Sequence, residues 1–133
     1  MGAGNGSNPV SEKDLLTSKV LECAIEVHRV LGPGLLESVY EECLCWELNQ
    51  AGLATLRQVP LPVKYKQVTM DIGYRIDVIV ERQVILELKT VDKIAPVHEA
   101  QLLTSLRLSR LRTGLLLNFN APVLRAGIKR MVL

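Results

Sequence analysis

The chain has 133 residues, of which 48% are apolar and 23% are charged, and its formal net charge is only +2. This composition is typical of a globular protein and excludes a disordered chain, and the length suits one domain with an ordinary hydrophobic core. The small net charge excludes bulk electrostatic coating of nucleic acid, although a local basic patch is compatible with it.

Two helices are predicted after a short polar segment. Residues 1–10 are small and polar and predict a flexible tail, so a single domain is expected over residues 11–133. Apolar residues recur at helical spacing over residues 15–31 and again over residues 36–50. Between them lies the tripeptide Gly32-Pro33-Gly34, which predicts a helix end because proline cannot continue the hydrogen-bond ladder.

The middle of the chain changes to the pattern of β-strands. Residues 55–67 contain β-branched side chains and two prolines, which is typical of an edge strand or an irregular one. Residues 70–80 and 83–91 predict two further strands joined by a short polar turn. A helix over residues 96–111 and strands over residues 113–119 and 127–133 follow. The predicted order is α-α-β-β-β-α-β-β, an α/β fold with a mixed central sheet flanked by helices.

Charged residues interrupt the two apolar strands of the predicted hairpin. Glu87 and Lys89 lie two residues apart, so their side chains share one face of the strand. A three-residue turn would pair Val80 with Val84 and put Asp77 directly opposite Glu87, with Cβ atoms about 4.5–5.5 Å apart. A turn with an even number of residues would put the two acids on opposite faces.

The acids Asp77 and Glu87 have two interpretations. Two close carboxylates repel each other, so either one of them takes a proton or a cation lies between them, and hard oxygen ligands suit Mg²⁺ or Mn²⁺. Alternatively, Glu87 forms a solvated ion pair with Lys89 or Arg75, of the weak kind that is common at protein surfaces. Spacing by itself does not choose between them.

An ordered set of sequence blocks resembles a known family. The spacing Gly34-x-x-Glu37-x-x-Tyr40 is the signature of the GxxExxY protein family, within the PD-(D/E)XK nuclease superfamily. Downstream blocks resemble the same family in order: QVPLPVKYK, YRIDVIV, ILELKTV, HEAQLLTSLRLS and GLLLNFN. The resemblance covers about residues 15–133 and departs from the superfamily pattern at Ile76, where the motif has proline.

The resemblance implies a restriction-endonuclease-like core and a Mg²⁺- or Mn²⁺-dependent nuclease that hydrolyses phosphodiester bonds in DNA or RNA. Asp77 and Glu87 would be metal ligands, with the backbone carbonyl of Leu88 as a further ligand. Lys89 would orient the attacking water or neutralise charge on the phosphate. The resemblance also implies two site residues on helices: Glu37, as an outer or water-mediated ligand, and Gln101.

Residues beside these candidates have less specific expectations. Tyr40 lies on the helical face of Glu37, where it contacts Glu37 or a phosphate, or is instead a half-buried tyrosine with a satisfied hydroxyl. Arg75 is a candidate substrate contact. His28 is expected at the edge of the core, and His98 at a loop or rim. Only five aromatic residues are present, which argues against a platform for stacking single strands.

Two alternatives to the nuclease remain open. One is a non-catalytic nucleic-acid-binding module with a relict nuclease site. The other is a protein-interaction module, and the mean hydropathy of +0.20 fits such a buried interface, including that of a homodimer. No membrane partner is predicted, because no stretch reaches the roughly 18 apolar residues of a membrane span. Three cysteines, an odd number without a secretory signal, favour the reducing cytoplasm.

Overall fold

Helices and strands follow the predicted order in the computed structural model, which describes residues 12–133. The tail predicted over residues 1–10 lies outside the described residues. In chain order the elements are α1 (Glu12–Leu31), α2 (Glu37–Gln50), β1 (Thr55–Tyr65), β2 (Val68–Val80), β3 (Val84–Lys89), α3 (Pro96–Ser109), β4 (Thr113–Asn118), a 3₁₀ helix (Leu124–Gly127) and β5 (Ile128–Val132). The predicted mixed α/β fold is therefore confirmed.

The described strands form one five-stranded sheet in the order β1-β2-β3-β4-β5. Neighbouring strands are antiparallel except β3 and β4, which are parallel and are connected through α3. Strand β1 lies at one edge, as its two prolines, Pro60 and Pro62, predicted. Proline has no amide hydrogen to donate to a neighbouring strand, so at an edge it interrupts the fewest hydrogen bonds between strands.

Helices cover both faces of the sheet. On one face, α1 and α2 pack on a cluster that includes Val78, Leu86 and Leu115. On the other face, α3 packs through Leu102 on a cluster that includes Ile85. Strand β3 is consequently apolar at consecutive positions, because side chains pointing either way are buried. Of the helices within residues 12–133, none is long and apolar enough to cross a membrane.

The alternation of side chains along β2 breaks at Asp77. Ile76 belongs to the same core cluster as Ile79, whereas Val78 packs on the opposite face. Strict alternation would put Ile76 and Val78 on one face, so the strand departs from alternation between these two residues. The ladder between β2 and β3 ends at the pair Val78–Leu86, so Asp77 lies where the two strands separate.

Candidate functional site

A cavity of about 210 Å³ opens beside the point where β2 and β3 separate. Strands β2, β3 and β4, helix α3 and the first residue of α2 contribute to its wall. Six residues that the sequence singled out line it: Glu37, Arg75, Asp77, Glu87, Lys89 and Gln101. The fold thus brings five segments of the chain to one cavity.

The β2–β3 turn has the length that the predicted geometry requires. Val80 pairs with Val84 across a three-residue turn, and the next pairs follow in register to Val78 and Leu86. One step further along this register, Asp77 faces Glu87. A turn with an even number of residues would have put the two acids on opposite faces. The turn has an odd number, which is what the approach of Asp77 to Glu87 requires.

Asp77 is held in place by the neighbouring strand. Its Oδ2 accepts a hydrogen bond of 2.8 Å from the backbone amide of Leu88. A carboxylate thus occupies the position at which a main-chain carbonyl would continue the ladder. Burial raises the pKa of the Asp77 carboxyl, and the hydrogen bond from Leu88 opposes that rise. The Leu88 carbonyl as a metal ligand stays a prediction.

Glu87 has the most perturbed carboxyl of the site. Burial, followed by the negative charge of Asp77, raises the pKa of Glu87 from 4.5 to about 8, although the Lys89 ammonium opposes the rise. The Glu87 and Asp77 carboxyls are close enough to perturb each other's pKa. Without a bound cation, this pair therefore retains a proton at neutral pH.

Glu37 approaches the same charges from helix α2, of which it is the first residue. Although the residue remains exposed to solvent, partial burial of its carboxyl raises the pKa of Glu37, and the charge of Asp77 raises it further. The ammonium of Lys89 acts in the opposite direction. Glu37, Asp77 and Glu87 are thus three acids that share the electrostatic influence of one lysine.

Tyr40 does not line the cavity, and its side chain is fully buried. Its hydroxyl donates a hydrogen bond to the Gly32 carbonyl and accepts one from the Leu35 amide. Its ring stacks on Phe119 with centroids 4.6 Å apart. The hydroxyl is therefore satisfied by the loop that precedes α2, and Tyr40 braces the start of the helix that carries Glu37.

Four further residues line the cavity and were not predicted as site residues: Tyr74, His98, Ser105 and Leu116. His98 was expected at a rim. Its Nδ1 accepts a 2.9 Å hydrogen bond from the Ala95 amide, so a neutral ring carries its proton on Nε2. The spacing of His98, Gln101 and Ser105 puts them on one helical face, and this spacing could have identified the set. His28, in contrast, is buried and hydrogen-bonds through Nε2 to the Ala121 carbonyl, a core-edge position as predicted.

The family comparison agrees with this arrangement. Residues 14–131 match the family model of the PD-(D/E)XK nuclease superfamily. The chain belongs to this superfamily. Comparisons with curated proteins and with solved structures gave no match. Glu87-Leu88-Lys89 has the E-x-K form contained in the PD-(D/E)XK name, and the mixed sheet flanked by helices is consistent with the restriction-endonuclease-like fold.

Divalent metals are typical of PD-(D/E)XK nucleases, so such a chain needs side chains that can serve as metal ligands. Within the described part of the chain, no group of three or more His, Cys, Asp or Glu side chains is already gathered as a metal site. Two adjacent carboxyls, Asp77 and Glu87, nevertheless fit a hard cation that retains several water ligands, as Mg²⁺ does. Their mutual repulsion is also what a dication would relieve.

Proposed function

We propose that this PD-(D/E)XK chain is a divalent-metal-dependent nuclease that hydrolyses phosphodiester bonds in DNA or RNA. The observation that carries the proposal is the cavity in which Asp77, Glu87 and Lys89 lie together with Glu37. Within the superfamily, the Gly34-x-x-Glu37-x-x-Tyr40 spacing supports placement in the GxxExxY family.

Asp77 and Glu87 would hold a Mg²⁺ or Mn²⁺ ion directly, with the Leu88 carbonyl as a further ligand and Glu37 acting through water. When bound, the ion would lower the pKa of a coordinated water and polarise a phosphoryl oxygen. The two carboxyls must first release the proton that the pair retains, so metal affinity should increase as the pH rises towards 8.

Basic and polar side chains of the cavity would act on the phosphate. The Lys89 ammonium already interacts with the three acids, and it would stabilise the negative charge that grows on the phosphoryl oxygens during in-line attack. Arg75 would contact a flanking phosphate, since a guanidinium can donate two parallel hydrogen bonds to phosphate oxygens. The amide of Gln101 would orient the phosphodiester by hydrogen bonding.

Purified protein should be assayed on labelled DNA and RNA oligonucleotides, single-stranded and double-stranded, with Mg²⁺, Mn²⁺ or EDTA. Asp77→Asn keeps an acceptor for the Leu88 amide but removes the charge, and Lys89→Met keeps the chain length of the lysine. Each should reduce metal-dependent cleavage by about 100-fold or more. The matched controls Asp92→Asn and Lys93→Met change exposed residues outside the cavity and should cleave like wild type.

Two results would contradict the proposal. Equal cleavage by wild type, Asp77→Asn and Lys89→Met would assign the activity to a contaminant or to another site. Salt-sensitive binding of nucleic acid without cleavage under any divalent ion would instead support a non-catalytic binding module with a relict nuclease site.

A further inference from the structure

Strands β1 and β2 extend well beyond the rest of the sheet. Strand β2 has 13 residues, but its pairing with β3 covers only three positions, from Val78 to Val80. Within the described chain, residues 68–76 of β2 have β1 as their only neighbouring strand. We call residues 60–75 the hairpin arm. A two-stranded ribbon is only marginally stable by itself, so we expect an arm of this length to have a function.

The hairpin arm carries four exposed apolar and aromatic side chains: Tyr65, Val68, Met70 and Tyr74. They belong to three cross-strand pairs, which we call the strip: Leu61–Tyr74, Val63–Met70 and Tyr65–Val68. The register shifts between the first two pairs, where β2 advances four residues and β1 two, so an irregularity separates Tyr74 from the two outer pairs. Tyr65 is 59% exposed and Tyr74 is 39% exposed.

The hairpin arm also carries positive charge that the described protein does not neutralise. Residues 60–75 contain Lys64, Lys66 and Arg75 against a single acid, Asp71. No carboxylate among residues 12–133 lies within ion-pair distance of those three cations. Four of the other basic side chains have carboxylate partners: Arg29, Arg57, Lys129 and Arg130. The arm is therefore suited to an anionic partner.

The base of the hairpin arm is continuous with the candidate site. Tyr74 and Arg75 line the cavity together with Asp77. From Leu61 to Tyr65 on β1 the strip is about 13 Å long at the usual rise of a strand. A polymer that lies along the strip would therefore lead directly to the acids.

We propose that the hairpin arm binds single-stranded nucleic acid and leads it into the cavity. Tyr65 and Tyr74 offer ring faces on which unpaired bases stack. The Lys66 ammonium lies 5.4 Å from the centre of the Tyr65 ring and would move from it to a phosphate. Lys64 and Arg75 are each one strand position from a tyrosine, so they would reach phosphates from the other face of the arm. Duplex bases are stacked on one another and would leave the strip uncovered. The inference rests on the proposed nuclease function and names its substrate class. Although only five aromatic residues argued against a stacking platform, the fold places two of them on the hairpin arm.

A second copy of the chain is the competing occupant of the strip. Edge strands can pair with one another through free backbone groups, but β1 has prolines at positions 60 and 62, which hinder such pairing. A symmetric contact between two arms would also bring two net positive surfaces together, and like charges repel. Both observations favour nucleic acid over self-association through the arm.

Binding should be measured by fluorescence anisotropy in EDTA, which removes cleavage, with 12-nucleotide oligo(dT), oligo(U) and a duplex of equal length. Both single strands should bind more tightly than the duplex. Tyr65→Ala and Tyr74→Ala should each weaken single-strand binding roughly 5- to 100-fold. Tyr65→Phe, which keeps the ring, should restore it. Lys66→Ala should reduce the slope of log affinity against log salt by about 0.7. Trp46→Ala removes an exposed aromatic residue of α2 outside the arm and should bind like wild type.

Duplex binding as tight as single-strand binding would overturn the inference, as would unchanged affinity in both alanine variants. Sedimentation showing a dimer that Tyr65→Ala dissociates would assign the strip to self-association and would also overturn it. The two proposals fail separately. The nuclease proposal alone would be refuted if Tyr65→Ala weakens single-strand binding but no metal supports cleavage. The proposal for the arm alone would be refuted if cleavage depends on metal but neither tyrosine variant changes single-strand binding.

Discussion

Glu87→Gln should stabilise the metal-free protein at alkaline pH. Folding raises the pKa of Glu87 from 4.5 to about 8, first through burial and then through the charge of Asp77. Between those pH values the folded chain keeps a proton that the unfolded chain has lost. The stability contributed by the protonated carboxyl is therefore fully present below pH 4.5 and is lost as the pH rises to about 8.

The pKa difference sets the size of the effect. Each pH unit within the window costs about 1.4 kcal/mol of unfolding free energy, so the whole window has a ceiling of about 5 kcal/mol. Glutamine has nearly the shape of the protonated acid and does not ionise. Glu87→Gln should therefore match wild type near pH 4 and become progressively more stable than wild type up to pH 8.

Thermal unfolding in EDTA at pH values from 4 to 9 provides the measurement. At roughly 3–5 °C per kcal/mol for a chain of this size, the two melting temperatures should diverge by up to about 15–25 °C above pH 8. The matched control is Glu22→Gln, an exposed acid of α1, which should follow wild type throughout. If the Glu87→Gln and wild-type curves stay parallel from pH 4 to 9, the Glu87 carboxyl is ionised in the folded state. The solvated ion pair with Lys89 would then be the correct interpretation.

Two further predictions concern the braces around the site. Tyr40→Phe removes the hydroxyl that bonds the Gly32 carbonyl and the Leu35 amide, so urea denaturation should show a loss of about 1–3 kcal/mol; an unchanged midpoint would mean that both backbone groups find other partners. Asn118→Ala removes the buried amide that bonds both the N–H and the carbonyl of Val91, so stability should fall by a similar amount, about 1–3 kcal/mol. Hydrogen exchange at the Val91 amide should become faster in that variant, and retained protection would contradict this account.

Features that depend on neighbours along the chain could be predicted from the sequence. The period of two along a strand and the three-residue turn were sufficient for the register from Val80–Val84 to Val78–Leu86, and with it for the approach of Asp77 to Glu87. Helix and strand order followed from hydrophobic periodicity, and the edge position of β1 followed from its prolines. The relevant physics is local: dihedral preferences, turn length and the alternation of side chains.

Burial and long-range approach were decided by the tertiary structure. Glu37 and Gln101 come from helices whose distance from β3 no spacing rule specifies, and only the resemblance had implicated them. Ile76 lies in the core cluster beside α3, although strict alternation would put it on the same side as Val78.

Tyr40 shows the same division between sequence and structure. Its helical spacing from Glu37 was visible in the sequence, but whether its hydroxyl pointed to a substrate or to the protein depended on how the α1–α2 loop packs. The pKa of Glu87 likewise required the structure, because removing a carboxyl from water and facing it with a second one is a property of packing in three dimensions. Sequence determined which charges share a strand face, and the fold determined how much water and how many other charges surround them.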